Sequence, residues 1–207
     1  MKDREIRYFD SEVLVEKRED GDSRTISGRA AVFNKLSRNL GWFREKIDPA
    51  AFDECDMTDV IACRNHDPDK VMARTTAETL KLGTDQNGLN YTFDAPNTTA
   101  GNDTIEDIKL KNITQSSFAF TIAEDRWDED DEHGEIRTIL KVKKLYDVSP
   151  VTNPAYFGTD VSANSLEVAR RSYDEWKKEK DDEDDPNDDM AKGMTWQEGK
   201  MKILALQ

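Results

Sequence analysis

Ser117 lies in a stretch that could place a nucleophile on one face of a β-strand. If residues 115–123 form a strand, successive side chains point to opposite faces. One face is mainly bulky and apolar, with Ser116, Phe118, Phe120 and Ile122. The other is small and open to another chain, with Gln115, Ser117, Ala119, Thr121 and Ala123. Because serines are common in strands, this stretch alone favours a half-buried structural strand over a catalytic one.

A serine hydroxyl attacks efficiently only when a base takes its proton, and histidine is the usual base at neutral pH. Of the two histidines, His133 lies in an acidic stretch that resembles a turn. His66 follows a short apolar strand predicted at residues 60–64, so it is the candidate base.

The base needs an acceptor on its second ring nitrogen. Asp147 is a candidate because it follows a strand, residues 136–146, that is predicted to pair antiparallel with the Ser117 strand. Asp67 is an alternative, although neighbouring residues on an extended chain point apart.

Cys63 offers a different nucleophile. On an extended segment Cys63 and His66 face opposite sides and lie roughly 10 Å apart, so the spacing favours Cys63 as a small core residue. Cys55 and Cys63 are the only cysteines, which predicts neither a disulfide scaffold nor a zinc site.

Length and charge restrict the function further. The 207 residues are enough for one domain of roughly 160 residues and a tail. With 44 acidic and 30 basic residues, the net charge of −14 argues against a nucleic-acid partner. No apolar run is long enough to cross a membrane and no signal peptide is recognisable, so we expect a soluble, intracellular protein.

Strand patterns dominate the first 150 residues. Residues 4–16 and 25–33 read as a hairpin, followed by strands at 43–47, 60–64, 79–82, 89–93, 115–123 and 136–146. Asp48 followed by Pro49 predicts a helix start, and residues 104–111 have helical spacing.

Residues 124–135 are strongly acidic, with eight Asp or Glu among twelve. They lack the ligand spacing of a calcium loop, so we expect a solvated hairpin tip. The alternative, a metal-binding domain, predicts a calcium-dependent melting temperature.

The C-terminal part changes character. Residues 165–176 predict an amphipathic helix, with Leu166, Ala169, Tyr173 and Trp176 on one stripe. That stripe either packs on its own sheet or binds a partner. Residues 180–189 contain seven carboxylates and predict a linker, after which residues 194–207 are more apolar.

Five segments, taken in their order along the chain, carry a family resemblance: ISGRAAVFN at 26–34, FREKIDPAAF at 43–52, NHD at 65–67, SFAF at 117–120 and VSPVTNPAY at 148–156. Together they closely resemble the prohead maturation proteases of tailed bacteriophages, over roughly residues 4–162. These are related in fold to the herpesvirus assemblins. The resemblance implies an α+β fold, a mostly antiparallel closed β-barrel with a few surrounding helices.

The resemblance also implies site residues: His66 as general base, Ser117 as nucleophile and Asp147 as third member. The family often has Glu at the third position. Its glycine between the two phenylalanines is Ala119 here, and its Gly-Arg-Thr is Ala73-Arg74-Thr75. Arg74 would hold the substrate or oxyanion, or else form a surface ion pair.

The expected protein is therefore a serine endopeptidase that cleaves scaffold or the scaffold-like arm of the major capsid protein, and itself. It would act inside the phage prohead, in the host cytoplasm, without metal or cofactor. Its parts would be a protease domain (1–162), an amphipathic helix (163–180) and a disordered or processed tail (181–207). The 165–176 helix would either form a homodimer or pack on its own sheet, and we expect no nucleic-acid or membrane partner. The alternative is a catalytically inert capsid assembly factor with a protease-like domain.

Overall fold

The computed structural model describes residues 3–9, 11, 13–16, 23–152 and 163–183. They fall into two units, one ending at Val168 and the other beginning at Ala169. In chain order the elements are β1 (Glu5–Phe9), β2 (Val13–Val15), β3 (Thr25–Val32), β4 (Phe43–Ile47), β5 (Ile61–Cys63), β6 (Val71–Arg74), β7 (Leu80–Asp85), β8 (Gly88–Asp94), α1 (Thr99–Lys109), β9 (Ile113–Asp130), β10 (Gly134–Thr152) and α2 (Ala163–Glu183).

The strands form two sheets. The larger has the order β1-β9-β10-β5-β6, and β4 also pairs with β10. The smaller has the order β2-β3-β8-β7. Pairing is antiparallel except for β4 and β5, which run parallel to β10. The predicted α+β class is confirmed: the described residues form a mixed fold of mostly strands, with two α-helices.

The predicted closed barrel is not confirmed, because neither sheet closes on itself among the described residues. Side chains, instead of backbone hydrogen bonds, link β1 to β4. Arg7 Nε and Nη2 donate to the two carboxylate oxygens of Glu45 at 2.7 and 2.8 Å. Arg137 on β10 donates to Glu5 at 3.1 Å, so this link is a buried ionic cluster.

The long β9–β10 hairpin places the predicted nucleophile. Ser116, Phe118 and Phe120 are buried on the core side, and the three phenylalanine rings Phe9, Phe52 and Phe118 pack there. Ser117 and Ala119, expected on an open face, are also fully buried. The strand is therefore covered on both faces at the candidate nucleophile.

Two local predictions are wrong for reasons of long-range pairing. Residues 4–16 do not form one strand of a hairpin: β1 pairs with β9, whereas β2 pairs with β3. No helix follows Asp48 and Pro49. The carbonyl of Ala51, which a helix would use internally, instead accepts the Val142 amide of β10 at 2.8 Å, and residues 49–54 remain turns.

Helix α1 begins earlier than predicted. Thr98 caps it, accepting the Gly101 amide at 3.2 Å. A side chain at Gly101 would place a Cβ 2.1 Å from the Pro96 carbonyl oxygen, so only glycine fits this first turn.

The acidic stretch is a hairpin, as predicted, but most of it is strand. β9 continues to Asp130, whose Oδ1 accepts the Glu132 and His133 amides at 3.0 and 2.8 Å. The acidic tip is thus a short turn that ends at Gly134, whose φ is 73°.

Helix α2 runs past the predicted boundary at residue 180, up to Glu183. Lys180 Nζ lies 5.1 Å from the centre of the Trp176 ring, which supports the last turns although they are highly charged. The predicted tail beyond residue 183 lies outside the described residues.

Candidate active site

His66 reaches the site through an uncommon backbone turn. After β5 ends at Cys63, Asn65 and His66 both adopt left-handed conformations, with φ of 53° and 58°. Two such residues in succession are unfavourable without glycine, so surrounding contacts must hold them. Asn65 Oδ1 accepts the Thr152 amide at 3.0 Å, and the His66 amide donates to Ser149 Oγ at 3.3 Å.

The structure brings together the three residues that the sequence predicted. His66 Nε2 lies 2.5 Å from Ser117 Oγ, and His66 Nδ1 lies 2.6 Å from Asp147 Oδ1. Because a carboxylate can only accept, Nδ1 carries the proton and Nε2 of the neutral ring is free to accept from the serine. This is the arrangement that general-base activation of a serine requires.

The alternative acceptor, Asp67, is used elsewhere. Its carboxylate accepts the Asp69 amide at 3.0 Å and pairs with Lys70 at 2.8 Å. The Lys70 hydrogen bond lowers the pKa of Asp67. Asp67 therefore shapes the short turn after His66 instead of orienting the imidazole.

The neighbouring strand β1 lies along the nucleophile. Tyr8 is opposite Ser117 in the strand register, and the Arg7 carbonyl oxygen lies 2.8 Å from Ser117 Oγ. The Tyr8 ring meets the His66 ring edge-on, with centres 5.8 Å apart. Burial, together with the charge of Asp147, raises the pKa of the Tyr8 phenol.

Asp147 is held at both oxygens. Oδ2 pairs with Arg4 Nη2, and Oδ1 also accepts the Ser149 hydroxyl at 3.1 Å. Sequence reasoning missed both partners. Ser149 could have been found, because it lies two residues after Asp147 and so shares its face of β10. Arg4, 143 residues away in sequence, carries no local signal.

Cys63 is nearer to the site than an extended segment would allow, because the chain turns sharply after it. Its Sγ lies 3.4 Å from Ser149 Oγ. Burial raises the pKa of the Cys63 thiol to about 12, so it stays protonated and donates to Ser149. It is a buried structural thiol, as predicted. Because Ser149 Oγ also lies 3.4 Å from His66 Nδ1, the predicted separation of Cys63 and His66, roughly 10 Å, is too long.

Arg74 forms a surface ion pair, which is one of the two roles expected from the sequence; the other was to hold the substrate or oxyanion. Its Nε and Nη2 donate to the two oxygens of Asp59 at 2.6 and 2.7 Å, and both side chains are exposed.

In the part of the chain that the structure describes, no three His, Cys, Asp or Glu side chains are grouped to hold a metal ion. Among the described helices, none is long and apolar enough to cross a membrane.

A hydroxyl, an imidazole and a carboxylate in one hydrogen-bonded row are the groups of a serine hydrolase. A sequence family model agrees with this class: the model of the caudovirus prohead serine proteases matches residues 11–179. The chain therefore belongs to that family and is a serine protease of phage capsid maturation.

Among solved structures, the capsid assembly protease gp21 of bacteriophage T4 is similar to this chain. The two are 12% identical, with a TM-score of 0.44, and the match covers 71% of this chain and 97% of that chain. A comparison with curated proteins gave no match.

Proposed function

We propose that this protease cleaves the scaffold, or the scaffold-like arm of the major capsid protein, inside the prohead in the host cytoplasm. His66, Ser117 and Asp147 would be its catalytic residues. The observation that supports this assignment most strongly is the row of contacts from Asp147 through His66 to Ser117, at 2.6 and 2.5 Å.

The proposed reaction follows from these contacts. Ser117 Oγ attacks the carbonyl carbon of the scissile peptide while His66 Nε2 takes the hydroxyl proton. Asp147 keeps the imidazolium oriented through Nδ1. When the C–N bond breaks, His66 gives its proton to the leaving amine, and an acyl-Ser117 ester remains. A water then attacks this ester while His66 takes its proton. When the ester C–O bond breaks, His66 returns that proton to Ser117 Oγ and the new carboxyl terminus is released.

The resting site must rearrange before this reaction. Ser117 has one hydroxyl proton and two acceptors within reach, His66 Nε2 and the Arg7 carbonyl. Attack requires the proton to point at His66, so the contact with Arg7 has to be given up. Because Ser117 is fully buried, a substrate carbonyl also needs a neighbouring group to move aside.

Co-expression tests the substrate assignment. The wild-type chain or its Ser117→Ala variant is produced together with the capsid and scaffold proteins of the same phage, and the products are measured by intact-mass spectrometry. We expect shortened scaffold or capsid protein with the wild type alone. Full-length proteins in both samples would favour the inert assembly factor, which leaves its partners uncut.

The domain organisation predicted from the sequence belongs to this proposal: a protease domain at 1–162, the helix predicted at 163–180, which extends to Glu183, and the rest of the tail predicted at 181–207. We expect the enzyme to remove its own tail. Because proteases cut extended chain and α2 is helical to Glu183, the cut should fall after Glu183.

Concentrated wild type and Ser117→Ala, incubated separately, test this self-processing by intact mass. Shortening of the wild type alone supports it. If both chains keep their full mass, or both shorten equally, the tail is not removed by this site.

A further inference from the structure

Asp147 is nearly inaccessible, and it depends on the protein for all its hydrogen bonds. Its side chain is 2% exposed. Oδ1 accepts from His66 Nδ1 and the Ser149 hydroxyl, and Oδ2 accepts from the Arg4 guanidinium. A buried carboxylate that loses one of these partners is left partly uncompensated and can turn away from the histidine.

Ser149 connects the carboxylate to the backbone of the base. Its hydroxyl proton goes to Asp147 Oδ1, because the carboxylate has no proton to give. Its lone pairs then accept the His66 amide at 3.3 Å and the Cys63 thiol at 3.4 Å. One fully buried hydroxyl thus fixes the strained His66 backbone and the Asp147 carboxylate relative to each other.

Arg4, the residue before β1, contacts the other oxygen of Asp147. Its guanidinium lies 5.1 Å from the centre of the Tyr146 ring, and its carbonyl accepts the Asn164 side-chain amide at 2.7 Å. A cation beside Asp147 weakens the attraction of that carboxylate for the imidazolium formed during attack. Any benefit of Arg4 to the rate must therefore come from orientation.

We propose that Arg4 and Ser149 are positioning residues, each holding one oxygen of Asp147 so that His66 Nε2 stays directed at Ser117. The inference rests on the proposed catalytic residues and adds two residues that act through Asp147.

The test measures how fast a fluorophosphonate–rhodamine probe labels Ser117, as the maximal rate kinact and the half-saturating concentration KI. Hydrogen bonds to charged groups are strong enough that Arg4→Met and Ser149→Ala should each lower kinact about tenfold or more. KI should change by less than about twofold. Arg4→Lys keeps the charge and a single donating nitrogen in place of the guanidinium fork, so it should recover part of the loss.

Matched controls remove similar groups elsewhere. Arg74→Met breaks an exposed arginine–carboxylate pair, and Ser116→Ala removes a buried serine hydroxyl from the opposite face of β9. Both should label at the wild-type rate.

The same substitutions made in the Asp147→Asn variant show whether they act by positioning Asp147 or by destabilising the protein in general. If Arg4 acts through Asp147, Arg4→Met should lower kinact less than about twofold once Asp147→Asn is present. Ser149→Ala should lose less in that background than alone, keeping only the part that comes from its hydrogen bond with the His66 amide. Wild-type kinact in both single variants, or the same fold-loss with and without Asp147→Asn, would overturn the inference.

The same data test the proposed catalytic residues and the proposed positioning residues separately. A wild type that does not label, or an Asp147→Asn variant with full kinact, contradicts the proposed catalytic residues and the inference with them. Slow labelling of Asp147→Asn with full kinact in Arg4→Met and Ser149→Ala contradicts only the inference.

Discussion

His66 and Asp147 make unequal contributions to the proposed chemistry, because His66 transfers the proton whereas Asp147 only orients the His66 ring. His66→Ala should reduce cleavage of the capsid substrate as severely as Ser117→Ala, since base and nucleophile act as a unit. Asp147→Asn should cost about ten- to a hundredfold less than His66→Ala. Initial cleavage rates of purified variants measure this, and full activity in Asp147→Asn would remove Asp147 from the site.

The buried thiol of Cys63 should make the stability of the protein depend on pH in the alkaline range. Its pKa is raised by burial from 9.0 to about 12, so the folded state keeps a proton that the unfolded chain loses above about pH 9. This stabilising contribution is complete below pH 9 and is lost as the pH rises toward 12.

Melting temperatures of wild type and Cys63→Ala between pH 8 and 11 test this sign. The advantage of the wild type should shrink as the pH rises. An advantage that stays constant across this range would show that the thiol does not titrate with the predicted shift.

At the residue scale, the sequence allowed the three candidate catalytic residues to be predicted, and the structure places them together. Their order in known motifs was sufficient for this. The left-handed turn at Asn65 and His66 could not be predicted, because it depends on contacts to Ser149 and Thr152 on a strand more than 80 residues later.

At the level of elements, the register of β9 decides which serine faces the base. Ser116 Oγ contacts the Tyr91 hydroxyl at 2.9 Å on the core side, whereas Ser117 faces His66. Ser116→Ala should keep its protease activity and lose about 1 kcal/mol of unfolding free energy, the usual value of one buried hydrogen bond.

Denaturant unfolding and activity assays on Ser116→Ala and Ser117→Ala measure both effects. The opposite pattern, an inactive Ser116→Ala and an active Ser117→Ala, would mean that the strand is shifted by one residue.

Helix α2 offers a second element-scale prediction, association into a homodimer. Tyr173 and Trp176 lie on one face of the helix, with ring centres 5.6 Å apart. Tyr173 is already buried in the single chain, so the half-buried Trp176 is the ring with area left to anchor a partner. If they mediate a dimer, Tyr173→Glu with Trp176→Glu should give a folded monomer.

Light scattering and circular dichroism on the double variant decide this. A wild type that is already monomeric contradicts the dimer, and unfolding of the variant indicates that the stripe packs within the chain.

Alternation and turn signals were sufficient to predict the β9–β10 hairpin and the strands β3, β4, β7 and β8. They failed where distant backbone groups compete for the same carbonyl. The Asp48–Pro49 signal predicts a helix, but the Val142 amide takes the Ala51 carbonyl. The residues around Asp48 give no indication that a distant strand will bind this carbonyl.

At the scale of the whole molecule, strand β1 lies at one edge of the larger sheet and is linked to β4 by the ion pairs between Arg7 and Glu45. The charges of Glu45 and Glu5 outweigh the effect of burial and raise the pKa of Arg7, which keeps it charged inside the protein. Arg4, the residue before this strand, pairs with Asp147, and the strand itself places the Arg7 carbonyl at Ser117 and the Tyr8 ring at His66. The N-terminal residues are therefore part of the site, although the sequence suggested only a strand in a hairpin.

The most direct test of the account is covalent labelling of the native protein with a fluorophosphonate, followed by intact-mass measurement and peptide mapping. We expect one adduct per chain, on Ser117, and no adduct in Ser117→Ala or His66→Ala. An unlabelled wild type, or an adduct on a different residue, would contradict the claim that Ser117 is the nucleophile.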